Sequence, residues 1–205
     1  MDLRRAGAWL SAYFAVLIWS AIHPKDNFTW WLEVFPALLG LGVLALTYRR
    51  FQLTPLAYWL ILGHCIILMV GGHYTYAEVP LFDWLRQVFA LERNNFDKLG
   101  HFAQGFVPAI VAREILLRKN IVQGRGWLFY IVVSVCLAIS AFYELIEWWV
   151  AVFSGTSAEA FLGTQGDVWD TQSDMAFALI GAILALLLLG KLHDRQLAAL
   201  PSRTG

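Results

Sequence analysis

The chain has 205 residues, zero formal net charge, 59% hydrophobic side chains and only 15% charged ones. Soluble globular domains carry about 25% charged residues, so a water-soluble globule is excluded. The charge balance also gives no electrostatic basis for binding nucleic acid. Ten tryptophans suit a protein anchored at two membrane interfaces.

A helix needs about 20 mostly apolar residues to cross about 30 Å of hydrocarbon. Six segments qualify: 6–23, 28–48, 55–74, 96–117, 127–153 and 168–192. The first follows Arg4 and Arg5, as a signal peptide would, but lacks an A-x-A-like cleavage site. Trp19 and His23 read better as its interface end, so it is expected to be a retained span. The predicted fold is all-α: one integral membrane domain, 1–205, with about six spans and a polar tail over 193–205.

Basic residues orient the spans. One side receives eleven: Arg4, Arg5, Arg49, Arg50, Arg113, Arg118, Lys119, Arg125, Lys191, Arg195 and Arg203. The other receives four: Lys25, Arg86, Arg93 and Lys98. Both termini are therefore expected in the cytoplasm. Between spans three and four, residues 80–93 place Leu81, Leu85, Val88 and Phe89 at helical spacing, with Asp83, Arg86 and Gln87 off that stripe. This predicts a short amphipathic helix in the outer interface, as a plain connector or a substrate-guiding lid. Cys65 and Cys136 lie in apolar runs without redox or zinc spacing and read as packing thiols.

The ionisable residues within the spans are not scattered. Asp97, His101 and Gln104 share one face of span four. Glu144 and Glu147 share a face of span five, and Asp170 and Asp174 a face of span six, with Asp167 one turn earlier. At about 1.5 Å per residue, His101 lies about 7 Å below the outer end of its span, Glu147 and Asp174 about 9 Å and Glu144 about 13 Å. Buried charges usually face the bundle interior, so one pocket near the outer face is expected. Asp97, Asp167 and Asp170 sit where helix caps would. The deeper acids and His101 could instead form a polar network that orients the bundle.

Lys98 alone cannot balance four or five carboxylates, so the acids must take up protons or bind a cation. Oxygen ligands with one imidazole suit a divalent Mg, Mn or Fe ion and, less well, Zn. The expected ligands are His101, Glu144, Asp170 and Asp174. Glu147 or Asp97 is the expected general base, with Lys98, Gln104, Gln165 and Asp167 in support. Glu33 falls at a depth where it could line the same cavity. His64 and His73 lie on opposite faces of span three, and His73 reads as an interface histidine. Arg113 and Glu114 read as interface charge.

The strings "FDKLGHFAQGF", "YELIEWW" and "LGTQGDVWDTQSDM" resemble the YjdF family of bacterial inner-membrane proteins over most of the chain. From Asp97 onward the pattern is also similar to the VanZ-like group, with its D-K-x-x-H-F, E-x-x-Q and D-x-x-x-N motifs. Asp97, Lys98, His101 and Phe102 match the first motif, Glu144 the second and Asp170 the third. Glu147 stands for the usual Gln and Asp174 for the usual Asn, which makes this site more acidic. The Arg often found ahead of the last motif is replaced by Gln165, Gly166 and Asp167. The resemblance implies a multi-pass inner-membrane protein.

Three readings of function stay open: a metal-dependent hydrolase or transferase acting on a lipid or envelope intermediate, a proton- or cation-coupled transporter or binding protein, and a structural or partner-binding membrane protein.

Overall fold

The computed structural model describes residues 3–154, 159–162 and 164–200. Among these residues every regular element is helical. In chain order they are α1 (Leu3–Ala21), α2 (Asn27–Thr47), α3 (Pro55–Tyr74), a 3-10 turn (Tyr76–Glu78), α4 (Pro80–Val88), α5 (Phe96–Arg118), α6 (Arg125–Ser154), α7 (Glu159–Leu162) and α8 (Asp170–Ala198). Local chemistry accounts for several starts. Asp26 caps α2 by accepting the Thr29 N–H at 2.6 Å. Thr54 caps α3, and Pro55 stands at a first-turn position where its missing N–H breaks no helical bond.

Four helices, α2, α3, α6 and α8, are long and apolar enough to cross a membrane, with mean hydropathies of 1.6, 1.7, 2.1 and 2.4. Helices α1 and α5 have 19 and 23 residues. Composition does not mark α5, because Asp97, Lys98, Arg113, Glu114 and Arg118 all lie within it. The outward faces carry large apolar side chains, among them Phe35 and Leu39 on α2, Phe142 and Val152 on α6 and Leu187 and Leu188 on α8. Such a surface suits hydrocarbon, not water.

Helix α5 is the hub. It packs against α3, α6 and, most extensively, α8, while α1 and α2 each pack along α3. The α5–α8 seam is built from small residues. A Cβ added at Gly105 would collide with the Ala178 carbonyl, and one at Gly181 with the Phe102 carbonyl. Ala178, Ala182 and Ala185 complete the seam with no exposed surface. Close backbone approach of this kind is how helices associate where lipid removes the hydrophobic drive. We expect Gly181→Val to lower the thermal midpoint in detergent by several degrees, through overpacking of about 1–3 kcal/mol. Gly190→Val, where no atom lies within 4 Å of an added Cβ, should leave the midpoint unchanged; equal effects would refute the seam.

Two expectations change. The stretch expected as a polar tail from residue 193 continues α8 as far as Ala198, because His193 is fully buried and Gln196 accepts the Leu56 N–H at 2.8 Å. The amphipathic segment expected over 80–93 is helical only to Val88. Its exposed apolar face is Leu81, Trp84, Val88 and Phe89. Phe82 turns inward onto Phe96, with ring centroids 5.3 Å apart. The two cysteines are buried and free, as packing thiols should be.

Candidate functional site

Helices α5, α6 and α8 bring the expected residues to one place, and Arg93 joins them from the segment before α5. Asp97 does not cap α5, whose N-cap is Asn95 with no side-chain bond. Its carboxylate instead faces Arg93 at 3.2 Å, His101 Nε2 at 3.3 Å and Lys98 at 3.6 Å. Asp167 accepts the Trp169 N–H at 2.9 Å, as a turn residue would, and faces Arg93 at 3.3 Å. Asp170 accepts from both Arg93 and Lys98. Lys98 Nζ also donates to Asp174 Oδ1 at 2.7 Å. Two cations thus tie together four aspartates. Nearby carboxylates raise the affinity of the Arg93 guanidinium for its proton, against the opposing effect of burial.

His101 sits where the groups meet. Its Nδ1 lies 3.0 Å from Gln104 Oε1 and 3.7 Å from Glu144 Oε1. An amide oxygen only accepts, so Nδ1 carries a hydrogen. Nε2 then faces Asp97 Oδ1 at 3.3 Å and Asp174 Oδ2 at 3.8 Å. A neutral imidazole would aim its remaining lone pair at two anionic oxygens. A proton on Nε2, a proton on one of the two carboxylates, or a cation between the three groups would relieve this. Two sets offer ligand atoms within 4.8 Å of one another: Asp97, His101 and Asp174, and His101, Glu144 and Glu147. These residues could hold a metal ion. Glu144 Oε1 is buried and has no hydrogen-bond partner, a costly state for a carboxylate oxygen.

Of the four residues expected as ligands, His101, Glu144 and Asp174 fall in these sets. Asp170 does not; its carboxylate is held by Lys98 and Arg93. Asp97, expected as a base, lies on the ligand side. Gln165 stands further out. Its amide pairs in both directions with the Asn94 backbone, at 3.0 and 2.9 Å.

Beside His101 lies a cavity of about 180 Å³, lined by Glu33, His64, Tyr76, Asp97, Gln104, Tyr143, Glu147 and Phe161 among others. Pro36 and Pro108 also line it, and each removes one helical N–H bond at the wall. The Tyr76 ring fits against Gly71 and Gly100, where any Cβ would strike it. Burial, and then the Glu33 charge, push the Tyr76 phenol well above its ordinary value of 10.0, so it stays protonated toward Glu33. His73 is placed elsewhere, tilted against Trp19 with ring centroids 4.4 Å apart and with Nδ1 on the Ser20 carbonyl. Sequence reasoning missed Arg93, which it counted only as an outer charge, although its four-residue spacing from Asp97 is a usable signal. It also missed Tyr76 and Tyr143, which carry no signal beyond their aromatic character.

A chain whose described regular elements are all helical, with lipid-suited faces and a buried polar site, is an integral membrane protein of the multi-pass kind. The family described as "Predicted membrane protein (DUF2238)" matches residues 6–195, and the chain belongs to it. It is 53% identical over 190 residues to the inner membrane protein YjdF of Escherichia coli (strain K12), covering 93% of this chain and 91% of that one. This kinship makes the chain an inner-membrane protein. No solved structure matches.

Proposed function

We propose that the chain crosses the membrane six times with both termini in the cytoplasm. In this reading the His101 site lies near the outer face and holds a divalent cation for hydrolysis or head-group transfer on a lipid or envelope intermediate. The exposed stripe of α4 supports placing that helix in the outer interface. The observation that carries the functional reading is the convergence of Asp97, His101 and Asp174, whose ligand atoms all lie within 4.8 Å of one another. Ligand atoms around one metal, at bonds of about 2.0–2.2 Å, stand about 3–3.6 Å apart. The His101–Asp97 and His101–Asp174 separations of 3.3 and 3.8 Å come close to this. Gln104 orients the imidazole from its other nitrogen, as partners of metal-bound histidines do. Asp97, His101 and Asp174 would be the ligands, with the orphan Glu144 oxygen available to complete the set. The oxygen-rich donors favour Mg, Mn or Fe over Zn. A bound cation would acidify a water, and Glu147, at the cavity wall, would take its proton. Lys98 and Arg93 hold Asp170 and Asp174 in position.

Metal analysis of the purified chain tests this reading. It should find one divalent ion per molecule, lost in His101→Ala and Asp174→Asn. No stoichiometric metal under several loading conditions would overturn it. The rival reading, a proton- or cation-coupled transporter, draws support from the cavity, where Glu33, Glu147 and His64 extend the polar lining away from His101. It predicts ion flux in proteoliposomes that disappears in Asp174→Asn. A purely structural role predicts that such variants lose stability but keep full phenotype per folded molecule.

A further inference from the structure

The cavity beside His101 holds more acceptors than its own residues satisfy. Glu33, Asp97 and Glu147 reach its wall, and among the described residues no lysine or arginine does. The cations nearby, Arg93 and Lys98, are engaged by Asp97, Asp167, Asp170 and Asp174. Glu33 is 4% exposed and Glu147 partly buried, and neither pairs with a lysine or arginine among the described residues. In the chemistry proposed above Asp97 and Glu147 have roles, and Glu33 has none. Proline adds to the surplus. Pro36 has no N–H to give the Leu32 carbonyl, and Pro108 none to give the Gln104 carbonyl. Residues four apart share a helix face, and both prolines line the cavity, so both carbonyls lie on its side. The Tyr143 hydroxyl, also at the wall, is buried with no hydrogen-bond partner. The rings of Tyr76, Tyr143 and Phe161 complete the lining named here.

Carboxylates, spare carbonyls and aromatic faces in one small space suit a compact cation rich in N–H donors. We infer that this cavity receives a primary ammonium group, held by Glu33 and the Tyr143 oxygen, and, resting on the head-group reading of His101, that the lipid head group acted on there ends in a primary amine. A primary ammonium offers three donors and no acceptor, the complement of this lining. Aromatic faces attract the same charge. A metal ion against Glu33 would leave the three rings without a purpose. A quaternary ammonium would suit the rings but bring no N–H to the freed carbonyls. A glycerol head group would bring donors but no charge to match the buried Glu33 carboxylate. At about 180 Å³ the cavity is smaller than the pockets of drug-sized ligands, which run to about 300–1,000 Å³. Only the tip of a lipid would enter it, and the acyl chains would stay in the bilayer.

Calorimetric titration of the full purified chain tests it, with dihexanoyl phosphatidylethanolamine, its phosphatidylglycerol and phosphatidylcholine counterparts, and ethanolamine, each in EDTA and again after loading with manganese. The ethanolamine lipid should bind saturably, and about tenfold or more tighter than either counterpart. Glu33→Gln should weaken that binding by about tenfold or more, as loss of one partner of a buried charge pair does, and leave the metal content unchanged. The comparison among lipids needs no variant, so it decides even if Glu33→Gln does not fold. Equal binding of phosphatidylglycerol or phosphatidylcholine, or undiminished binding in folded Glu33→Gln, would overturn the ammonium site. Ethanolamine bound as tightly as the lipid would make a free amine the ligand and overturn the head-group assignment. The EDTA arm separates this site from the metal reading. A preference for the amine with no metal found would overturn only the metal, and bound metal with no such preference would overturn only the ammonium site.

Discussion

Methionine in place of Lys98 will lower the thermal midpoint of the detergent-solubilised chain by about 10 °C. Lys98 Nζ donates to Asp170 at 2.8 Å and Asp174 at 2.7 Å, and its side chain is 8% exposed. Methionine fills the same space and takes away the charge. Two buried carboxylates then face each other with only Arg93 and His101 near. Leaving one half of a buried pair unmatched costs about 3–5 kcal/mol, and about 1 kcal/mol moves the midpoint of a chain this size by about 2–4 °C. Adding Asp170→Asn to the Lys98→Met variant should recover part of the loss, because it removes one stranded charge. An unchanged midpoint in Lys98→Met would mean that water, not protein, solvates these acids.

Leucine in place of Glu114 should cost a similar amount, at the opposite end of the same helix. Glu114 has no exposed surface. It accepts the Thr54 N–H at 3.0 Å, the Thr54 hydroxyl at 2.8 Å, Arg118 at 2.7 Å and His193 Nε2–H at 3.1 Å. Arg113 donates to His193 Nδ1 at 3.0 Å, which fixes the tautomer, since a guanidinium cannot accept. One carboxylate therefore joins α3, α5 and α8. Leucine would orphan the Thr54 and His193 donors, while Arg118 keeps the Gln52 carbonyl at 2.6 Å, and an unmatched buried donor costs about 1–3 kcal/mol. Hydrogen exchange should rise first at residues 54–58, where Thr54, the cap of α3, loses its anchor. Asp194→Ala removes an exposed acid that pairs with Arg113 and should leave the midpoint within about a degree or two, as exposed pairs contribute little. If both variants behave alike, the buried network is not what holds this end together.

The contrast between these two clusters shows what could be read in advance. Asp97 with His101, Glu144 with Glu147, and Asp170 with Asp174 each announce themselves by spacing along one helix, and charge is conspicuous in apolar spans. Helical periodicity and the cost of burying charge suffice to predict that they meet. Glu114 offers no such pattern. Its partners Thr54 and His193 stand 60 and 79 residues away, near span ends where charge is ordinary. Arg93 hides for a related reason, since a cation in a loop looks solvated until the loop is folded over the site. The division of labour among the acids was also illegible. Only the reach of Lys98 and Arg93 decides that Asp170 is held in an ion pair and Asp97 is turned toward His101.

The two-way amide contact between Gln165 and Asn94 has a consequence for how this chain can change. Gln165 adopts φ 49° and Gly166 φ 85°, a pair of left-handed residues that only the second accepts without strain. The contact locks the entry of α8 to the entry of α5. Surface loops usually absorb insertions and deletions freely. This one cannot, because a single added residue between Gln165 and Asp170 would rotate α8 by about 100° or break the contact. Length variation among descendants of this chain should therefore accumulate in its other connections, and leave the few residues ahead of α8 at a fixed number.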